Sequence, residues 1–539
     1  MKQLIWQTQK VFLLSMTSSF NKYTRIVLLL LSISFNAIAQ ISIPRSLSLS
    51  LQSASVSQSL PASNVVTDIV IQNDTIWLGT GKGLSRSIDG GRSWKNYYNT
   101  PEFGTEDVSA IAVRGNEIWV ATAHSVIRND ASLPEGSGFK RSTDGGITWV
   151  SIPQPLDTNN VDTLFWNSKS TIRALGITTA INNITYDIAL TNNAVWITSF
   201  AGMVRRSTDK GQTWQRVIIP PDNLNSISIN DSLAFDLSPS GGALGLRENL
   251  NHRAFSVFAE NDSTIWIGTA GGINKTTDNG KSWVRFTKQN QIQPISGNFV
   301  VALGHQQTGS KKIMWAATIN ANDNTEVRGV SYSDDGGMTW KQTLLQEFPH
   351  NFGFKGDVVY IPTDNGIFRS SDFGASWIKT GTIYDPMNRQ RYTQTAFYSA
   401  AAHGDTAWFG GVDGTVTTID NASNPFGSNW NIIHASQSLA LKTDTYAYPN
   451  PFAPDDEIVR IHYTTGKPGS VEVNLRIFDY GMNLVKTIVQ NVLREPNREH
   501  DEIWNGRNEK NEFVSNGVYF YQLTIDNDEP RWGKILVIQ

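Results

Sequence analysis

The chain of 539 residues contains no cysteine, which excludes disulfide bonds, thiol nucleophiles and thiolate metal sites. Its eight histidines are scattered singly, and no group of His, Asp and Glu has the spacing of a recognised metal site. The Gly-rich phosphate loops, the zinc-protease motif and the nucleophile elbow are also missing. We therefore predict no metal and no cofactor, and no motif nominates a catalytic residue.

Neither sign of charge is in marked excess, since 45 Lys and Arg residues face 48 Asp and Glu residues and the formal net charge is −3. Residues 1–39 carry Lys2, Lys10, Lys22 and Arg25 but no acidic residue, and an apolar run at 26–35 ends in a small-residue site at 37–39. The run is too short to span a bilayer, and the order of features predicts a signal peptide cleaved before Gln40. Lys22 and Arg25, the positive residues nearest the apolar run, follow both Met1 and Met16. Either methionine is therefore compatible with the signal peptide as the start of translation.

Removing the four positive charges of this segment takes the formal net charge from −3 to −7. A mildly acidic mature chain is unlike a nucleic-acid binder, so nucleic acid is not an expected partner. The absence of cysteine suits export without oxidative folding. We expect a protein that is secreted or held on the outer cell surface after passing the periplasm, with no integral membrane segment once the signal is removed.

One eight-residue pattern, Ser/Thr-x-Asp-x-Gly-x-x-Trp, recurs along the chain. Six copies are complete, at 87–94, 142–149, 207–214, 276–283, 333–340 and 370–377. A seventh begins at Thr418 and Asp420 but reaches Trp430 only after an insertion. Upstream of each copy lies an alternating strand with a central aromatic: Trp77, Trp119, Trp196, Trp266, Trp315, Tyr360 and Trp408.

Each unit reads as four antiparallel strands, the first two joined by short Asn, Asp or Gly turns. One such small sheet cannot bury both faces alone, whereas radial stacking of seven can. The repeat therefore predicts an all-β chain with a seven-bladed β-propeller over residues 40–436.

The pattern resembles the Asp-box, or bacterial neuraminidase repeat, of sialidases, sortilin-type receptors, xyloglucanases and photosystem assembly factors. These propellers have unrelated functions, so the resemblance implies a fold and no activity. The residues themselves favour a structural role, since a hydroxyl and a carboxylate beside a Gly turn can satisfy backbone N–H groups. We expect this role for Asp89, Asp144, Asp209, Asp278, Asp335, Asp372 and Asp420.

Nearly all long insertions fall between the second and third strands of a unit or between units, and these connections share one face. Loops on a rigid scaffold commonly carry binding residues. Several Arg and aromatic residues there suit carboxylated glycans or peptide carboxylates, although solvated loop charge is the alternative for each one. The ligand-binding candidates are Trp166, Arg173, Arg247, Arg253, Arg389, Arg391 and Tyr392.

Beyond a polar linker at 437–445, the sequence pattern changes to that of about seven short strands without a helix. This pattern predicts a small β-sandwich over 446–539. Tyr-Pro-Asn-Pro-Phe at 448–452, Trp-Asn-Gly at 504–506 and Gly-Val-Tyr-Phe-Tyr at 517–521 mark this segment. They resemble the immunoglobulin-like C-terminal sorting domain of type IX secretion cargo and that of flagellar hook-capping proteins. The resemblance implies the type IX secretion machinery as a partner, and a plain accessory sandwich is the alternative.

We expect a binding or scaffold protein. Its ligand is a glycan or a protein that the sequence does not identify. The alternatives are a sialidase-like glycoside hydrolase and an assembly factor for an envelope complex. Sialidases need convergent Arg residues, a Tyr paired with Glu and an acidic proton donor. Their early Arg-Ile-Pro is replaced by Ser42-Ile43-Pro44, which weakens the enzyme hypothesis.

Overall fold

The computed structural model describes residues 60–538 except 129–130, 159–160, 169, 176–177, 240–248, 322, 389, 436–444 and 497–498. The predicted signal peptide lies outside these residues, as does the predicted linker apart from Thr445. Within them, the one helical segment is a 3-10 turn at Leu250–His252. The all-β prediction is confirmed.

The first half of the strands is, in chain order, β1 Val66–Gln72, β2 Thr75–Thr80, β3 Gly83–Ser87, β4 Lys95–Tyr97, β5 Asp107–Arg114, β6 Glu117–Arg128, β7 Ala131–Ser142, β8 Val150–Ile152, β9 Val161–Phe165, β10 Thr171–Leu175, β11 Thr185–Leu190, β12 Val195–Ser199, β13 Met203–Ser207, β14 Gln215–Arg216, β15 Ser226–Ile227, β16 Asp236–Leu237, β17 Ala254–Ala259, β18 Ile265–Thr269, β19 Gly272–Thr276 and β20 Trp283–Phe286.

The strands that follow are β21 Phe299–Thr308, β22 Lys311–Ile319, β23 Gly329–Ser333, β24 Lys341–Thr343, β25 Gly353–Lys355, β26 Val358–Thr363, β27 Gly366–Ser370, β28 Ile378–Lys379, β29 Ile383–Asp385, β30 Gln390–Tyr392, β31 Phe397–His403, β32 Thr406–Gly411, β33 Thr415–Ile419, β34 Trp430–Ile433, β35 Thr445–Tyr448, β36 Val459–Thr464, β37 Val471–Phe478, β38 Leu484–Arg494, β39 Glu499–Trp504, β40 Gly517–Ile525 and β41 Arg531–Val537.

Up to β34, most of the described strands build seven antiparallel sheets with the order first, second, third, fourth, while β9, β10 and β16 form a small separate sheet and β29 and β30 a hairpin. Sheets 1 to 7 begin at β1, β5, β11, β17, β21, β25 and β31, and β15 adds a fifth strand to sheet 4. The first strands of sheets 1 to 5 pack against one another in sequence, and β1 also packs against β31 of sheet 7. The first and last of the seven sheets are therefore neighbours.

Apolar side chains fill each junction between consecutive sheets. Trp77 and Val108 belong to the cluster between sheets 1 and 2, and Trp119 and Ile188 belong to the cluster between sheets 2 and 3. The cluster of Val66, Leu78, Trp94 and Trp408 joins sheet 7 to sheet 1. Because each sheet buries both faces against its neighbours, an isolated sheet would leave two apolar faces in water.

An indole packed over a glycine is the contact that recurs at these junctions. The second-strand Trp of one sheet lies against the fifth residue of the box in the next sheet: a Cβ added to Gly91, Gly146, Gly211, Gly280, Gly337 or Gly374 would lie 2.5 to 3.3 Å from the Cη2 atom of that Trp. The same glycines have φ between 84° and 96°, a backbone conformation that L side chains rarely adopt. Glycine is therefore required at this position for two reasons, the close indole and the positive φ.

Strands β35 to β41 form a three-stranded sheet, β35-β36-β39, and a four-stranded sheet, β38-β37-β40-β41. Val459 and Ile461 of the first sheet share one buried cluster with Leu475, Tyr521 and Ile535 of the second. The two sheets therefore face each other across a common core. The first of their strands begins at Thr445, one residue before the predicted boundary.

Substituting Gly146 tests the indole contact. The Gly146→Ala variant should be less stable than the wild type by about 2–5 kcal/mol, since it adds a strained backbone and a Cβ 2.5 Å from the Trp77 indole. Gly145→Ala is the matched control, because Gly145 has φ 72° but open space around its Cβ, so only about 1–2 kcal/mol should be lost. Guanidinium unfolding of both variants measures the difference, and equal losses would contradict the contact.

Candidate functional site

The box loops share one hydrogen-bond arrangement in all six complete copies. The hydroxyl at position 1 donates to the Asp at position 3 over 2.7 to 2.8 Å and accepts from the Gly N–H at position 5. The same carboxylate accepts the backbone N–H of position 7. These Asp side chains therefore face their own turns.

A hydroxyl at position 7 was missing from the predicted pattern. Ser93, Thr148, Thr213, Thr339 and Ser376 each donate from the hydroxyl to the second oxygen of the box Asp at 2.5 to 2.6 Å. The Ser282 side chain also interacts with Asp278 and favours its ionised form. The signal was present in the sequence, because position 7 is Ser or Thr in every complete copy.

These bonds favour the ionised form of the box carboxylates. The Ser93 hydroxyl is the largest cause that lowers the pKa of Asp89 to about 2, and the Thr213 hydroxyl does the same for Asp209. The pKa of Asp372 falls to about 2 through Ser376. A carboxylate with these acceptor sites filled by its own turn is ill suited to proton transfer near neutral pH.

Asp420 of the seventh copy differs from the prediction. Thr418 donates to the Ile419 carbonyl instead of the carboxylate. Asp420 instead accepts the Tyr360 hydroxyl at 2.5 Å and the Arg369 guanidinium at 2.7 and 3.1 Å, both from sheet 6. Sheet 6 is the sheet in which Tyr360 replaces Trp, so the junction between sheets 6 and 7 uses a buried ion pair where the others use indole and glycine.

The long insertions leave from one end of the sheets, opposite the boxes; we call the two ends the insertion end and the box end. On topological grounds the connections after the second and fourth strands share one end of an antiparallel sheet. The insertion after sheet 2 is fixed to sheet 3 by Asp157, whose carboxylate accepts Arg205 at 2.8 Å and also contacts Arg216. All three side chains are buried.

A second polar network fixes the insertion between sheets 3 and 4. The Asp222 carboxylate accepts the backbone N–H groups of Leu250 and Asn251 at 2.9 and 2.8 Å. The Asn251 amide donates to the Pro220 carbonyl and to Asn274 of sheet 4. His252 is fully buried against Ser238 and Ile219, and burial lowers its pKa. Buried, satisfied groups of this kind hold a loop in one conformation.

Three predicted ligand residues belong to these anchored insertions. Trp166 is buried and its indole N–H donates to the Ser228 carbonyl at 3.0 Å. Arg173 lies on the small sheet β9-β10-β16 and forms a two-pronged ion pair with Asp236 at 2.9 and 2.5 Å. Arg253 is buried, donates to the Pro239 carbonyl and lies over the Phe200 ring. These three side chains support the insertions themselves.

Two further candidates lie on the hairpin β29-β30. Arg391 forms an ion pair with Asp456 of the C-terminal sandwich. Tyr392 is buried, stacks on Phe397 and accepts the Asp413 N–H at 3.2 Å, and burial raises its pKa. The remaining candidates, Arg247 and Arg389, lie outside the described residues. The five described candidates are thus spread over several places, and they do not assemble the Arg, Tyr and Glu constellation of a sialidase.

A polar cluster at the base of the long β6-β7 hairpin was not predicted. His124 Nδ1 lies 2.9 Å from both Glu106 Oε2 and Ser137 Oγ. A Ser-His-acid relay needs the hydroxyl and the carboxylate on different ring nitrogens, so this arrangement is not one. Beside it, burial raises the pKa of Asp107 to about 6, helped by the charge of Glu106. The cluster gives the insertion end titratable groups but no assembled nucleophile.

Other site classes were searched within the described residues. No group of three or more His, Asp or Glu there is placed to hold a metal ion. No helix in that part of the chain has the length and apolar character needed to cross a membrane.

Comparisons with known proteins match the repeat. The BNR/Asp-box repeat model matches residues 331–342, which confirms an Asp-box in sheet 5. No curated protein sequence matches the chain. YCF48 from Cyanidioschyzon merolae is 17% identical, with 67% of this chain and 97% of that chain covered and a TM-score of 0.41.

Two bacterial structures are also similar. A GH74 enzyme of Niastella koreensis is 13% identical, covers 90% of this chain and 74% of its own, and has a TM-score of 0.48. PorZ, a surface component of the type IX secretion system of Porphyromonas gingivalis, is 12% identical, with 88% and 75% covered and a TM-score of 0.31.

The lowered pKa of Asp209 predicts a pH-dependent contribution to stability. Because the pKa falls from 3.8 to about 2 on folding, the contribution should be complete above pH 3.8 and lost as the pH falls towards 2. At pH 6 the Asp209→Asn variant should melt several degrees below the wild type. Near pH 2 the two proteins should melt at the same temperature. The control variant Thr208→Ala changes the exposed residue at box position 2. It should melt at the same temperature as the wild type at every pH. A melting difference that stays constant with pH would contradict the ionised turn.

Proposed function

We propose that sheets 1 to 7 form a closed seven-bladed β-propeller over residues 40–436, joined by a linker at 437–445 to an immunoglobulin-like sandwich at 446–539. The contact of Trp408 in sheet 7 with Gly91 in sheet 1 supports closure, because it repeats the contact between consecutive sheets. In addition, the Gly414 N–H of sheet 7 donates a hydrogen bond to the carbonyl of Asn64, which precedes sheet 1.

We propose further that the protein is a secreted or cell-surface binding or scaffold protein whose insertion end takes a glycan or a protein ligand. The observation that carries this proposal is the anchoring of the insertions by Asp157, Asp222 and Asn251, which presents the loops in a fixed shape. Preorganised loops lose little conformational entropy on binding. At the insertion end, Ile127 and Phe165 remain 80% and 81% exposed, as a binding surface would leave them.

Export is proposed to depend on the C-terminal sandwich, as cargo of type IX secretion machinery. The support is the resemblance of residues 446–539 to sorting domains, together with the separate buried core of that sandwich. A module with its own core can be recognised by a transport system while the preceding sheets fold independently.

Changing the exposed apolar residues of the insertion end tests binding. The full chain would be screened on a glycan array and a peptide-display library, and the Ile127→Ser/Phe165→Ser variant should lose its signals by about tenfold or more. Ile147→Ser is the matched control, since Ile147 is 72% exposed at the box end. Loss of binding in the control alone would move the ligand to the box end, and absence of any signal would count against a glycan or peptide ligand.

Truncation tests export. A chain ending at Asp444 should fold and cross the inner membrane, because the seven sheets have their own junction clusters, yet remain in the periplasm. Cell fractionation would compare it with the full chain. Equal delivery of both to the surface or medium would remove the sorting role, whereas a truncated chain that is degraded would show that the sandwich stabilises the sheets.

A further inference from the structure

The hairpin of β6 and β7 continues past the end of sheet 2. The first strand, β5, pairs with β6 only as far as Asp107, which lies opposite Ala123. Beyond Ala123, β6 runs on to Arg128 and pairs with β7. Residues 124–128 of β6 are therefore bordered by β7 on one side and by no described strand on the other. We call this open side the free edge.

The pairing of β6 with β7 shows which backbone groups point to the free edge. In an antiparallel ladder, pairs that exchange hydrogen bonds alternate with pairs whose N–H and C=O groups point outward. Pro134 lies opposite Ser125, and its carbonyl accepts the Asn182 N–H at 2.8 Å on the far side of β7. This pair therefore points outward, and so does the pair of Ile127 with Ser132 two residues further on. The backbone N–H and C=O groups of Ser125 and Ile127 thus point to the free edge.

The two edges of this hairpin differ in their protection. On the β7 edge, the Gly136 N–H donates to the Ala180 carbonyl at 3.1 Å, and Pro134 has no N–H to offer another chain. On the free edge, no described residue bonds to the backbone of Ser125 or Ile127. Both residues are exposed. An open edge of this kind can pair with an extended strand from another molecule.

The free edge faces the inside of the sheet arrangement at the insertion end. It lies on the β5 side of β6, and β5 packs against the first strands β1 and β11 of the neighbouring sheets. A strand bound to this edge would continue the row of β5 beyond Asp107 and lie across the insertion end.

Acidic groups lie at the foot of the free edge. Asp107 is half-buried and lies opposite Ala123, so its side chain shares a face of the sheet with those of Ser125 and Ile127. Among the described residues, none donates a hydrogen bond to the Asp107 carboxylate, and the neighbouring Glu106 adds a second negative charge. A bound strand that carried a cation on this face would complement both acids.

We propose that the free edge binds an extended basic segment of a partner polypeptide, which pairs antiparallel with residues 124–128. The residue of the segment opposite Ser125 is Lys or Arg. It lies on the same face as Asp107 at a distance of about 7 Å along the row, which its side chain can span. The residue opposite Ile127, two places earlier in the segment, is apolar. The recognised pattern is therefore apolar-x-basic.

A second copy of this chain fits the edge less well than such a segment. If two β6 edges paired, the residue placed next to Asp107 would be Ser125 or Ile127 of the other copy, and neither carries a charge. The inference rests on the proposed function, because it names the class of ligand that the insertion end takes.

Selection from a display library of random seven-residue peptides on the full mature chain tests the pattern. The enriched peptides should share the apolar-x-basic spacing, and one with Lys would be synthesised for calorimetric titration. Methylating the backbone nitrogen of its apolar or basic residue removes an N–H that faces β6, so affinity should fall about tenfold or more. Methylation of the residue between them, whose N–H faces away, is the matched control. Replacing Lys with norleucine should weaken binding about threefold.

Variants of the chain test the edge from the other side. Ser125→Pro removes a donor of the free edge and should weaken the Lys peptide about tenfold or more. Ser132→Pro is the matched control, because it makes the same change at an exposed, outward-pointing position of the β7 edge. Asp107→Asn should reduce the preference for the Lys peptide over its norleucine analogue. Melting temperatures of the three variants show whether each is folded.

The inference is overturned if the enriched peptides lack the spacing, if methylation at the three positions has equal effects, or if Ser125→Pro binds as Ser132→Pro does. Light scattering covers the other occupant, since a dimer that Ser125→Pro dissociates would assign the edge to a second copy. A glycan that binds through Ile127 and Phe165 while no peptide binds would remove this inference and keep the proposed function. Absence of both signals would count against both.

Discussion

The contact of an indole with a glycine in the next sheet is the constraint on which the other features depend. In all the sheets but sheet 6 it fixes the second strand against the box loop of the next sheet, so the turn there must present a glycine with positive φ. The box hydroxyl and carboxylate hold the turn in this conformation through their bonds to the backbone. The repeated residues therefore serve the junction between sheets, and the bonds of the box carboxylates within their own turns keep them ionised.

Departures from the repeat occur together around sheets 6 and 7. Tyr360 replaces Trp, the following box is lengthened by an insertion between Asp420 and Trp430, and Asp420 binds Tyr360 and Arg369. One sheet later, Thr417 lies opposite Trp408 at the third-strand position where sheets 1 to 4 carry a cation over the indole. Removing either partner of a buried ion pair leaves an uncompensated charge, so Arg369 and Asp420 depend on each other at this junction.

The sequence predicted the strands and the boxes well because both depend on local spacing. Alternating strands with a central aromatic, short turns and the Asp-box pattern are visible within a dozen residues. The surroundings of the ligand candidates could not be predicted from local spacing, since they depend on distant partners: Trp166 donates to Ser228, and Arg173 pairs with Asp236, more than 60 residues away in each case. The role of Asp420 was equally hidden, because its partners lie in the preceding sheet. The hydroxyl at position 7 was readable but was overlooked.

A double-mutant cycle between Gly91 and Trp408 tests the central contact most directly, because these residues join the last sheet to the first. The account predicts that Gly91→Ala destabilises the wild type strongly but costs about 1–3 kcal/mol less when Trp408→Leu has removed the indole that its Cβ would meet. Guanidinium unfolding of the four proteins gives this coupling energy. Additive losses, with no coupling between the two positions, would contradict the account.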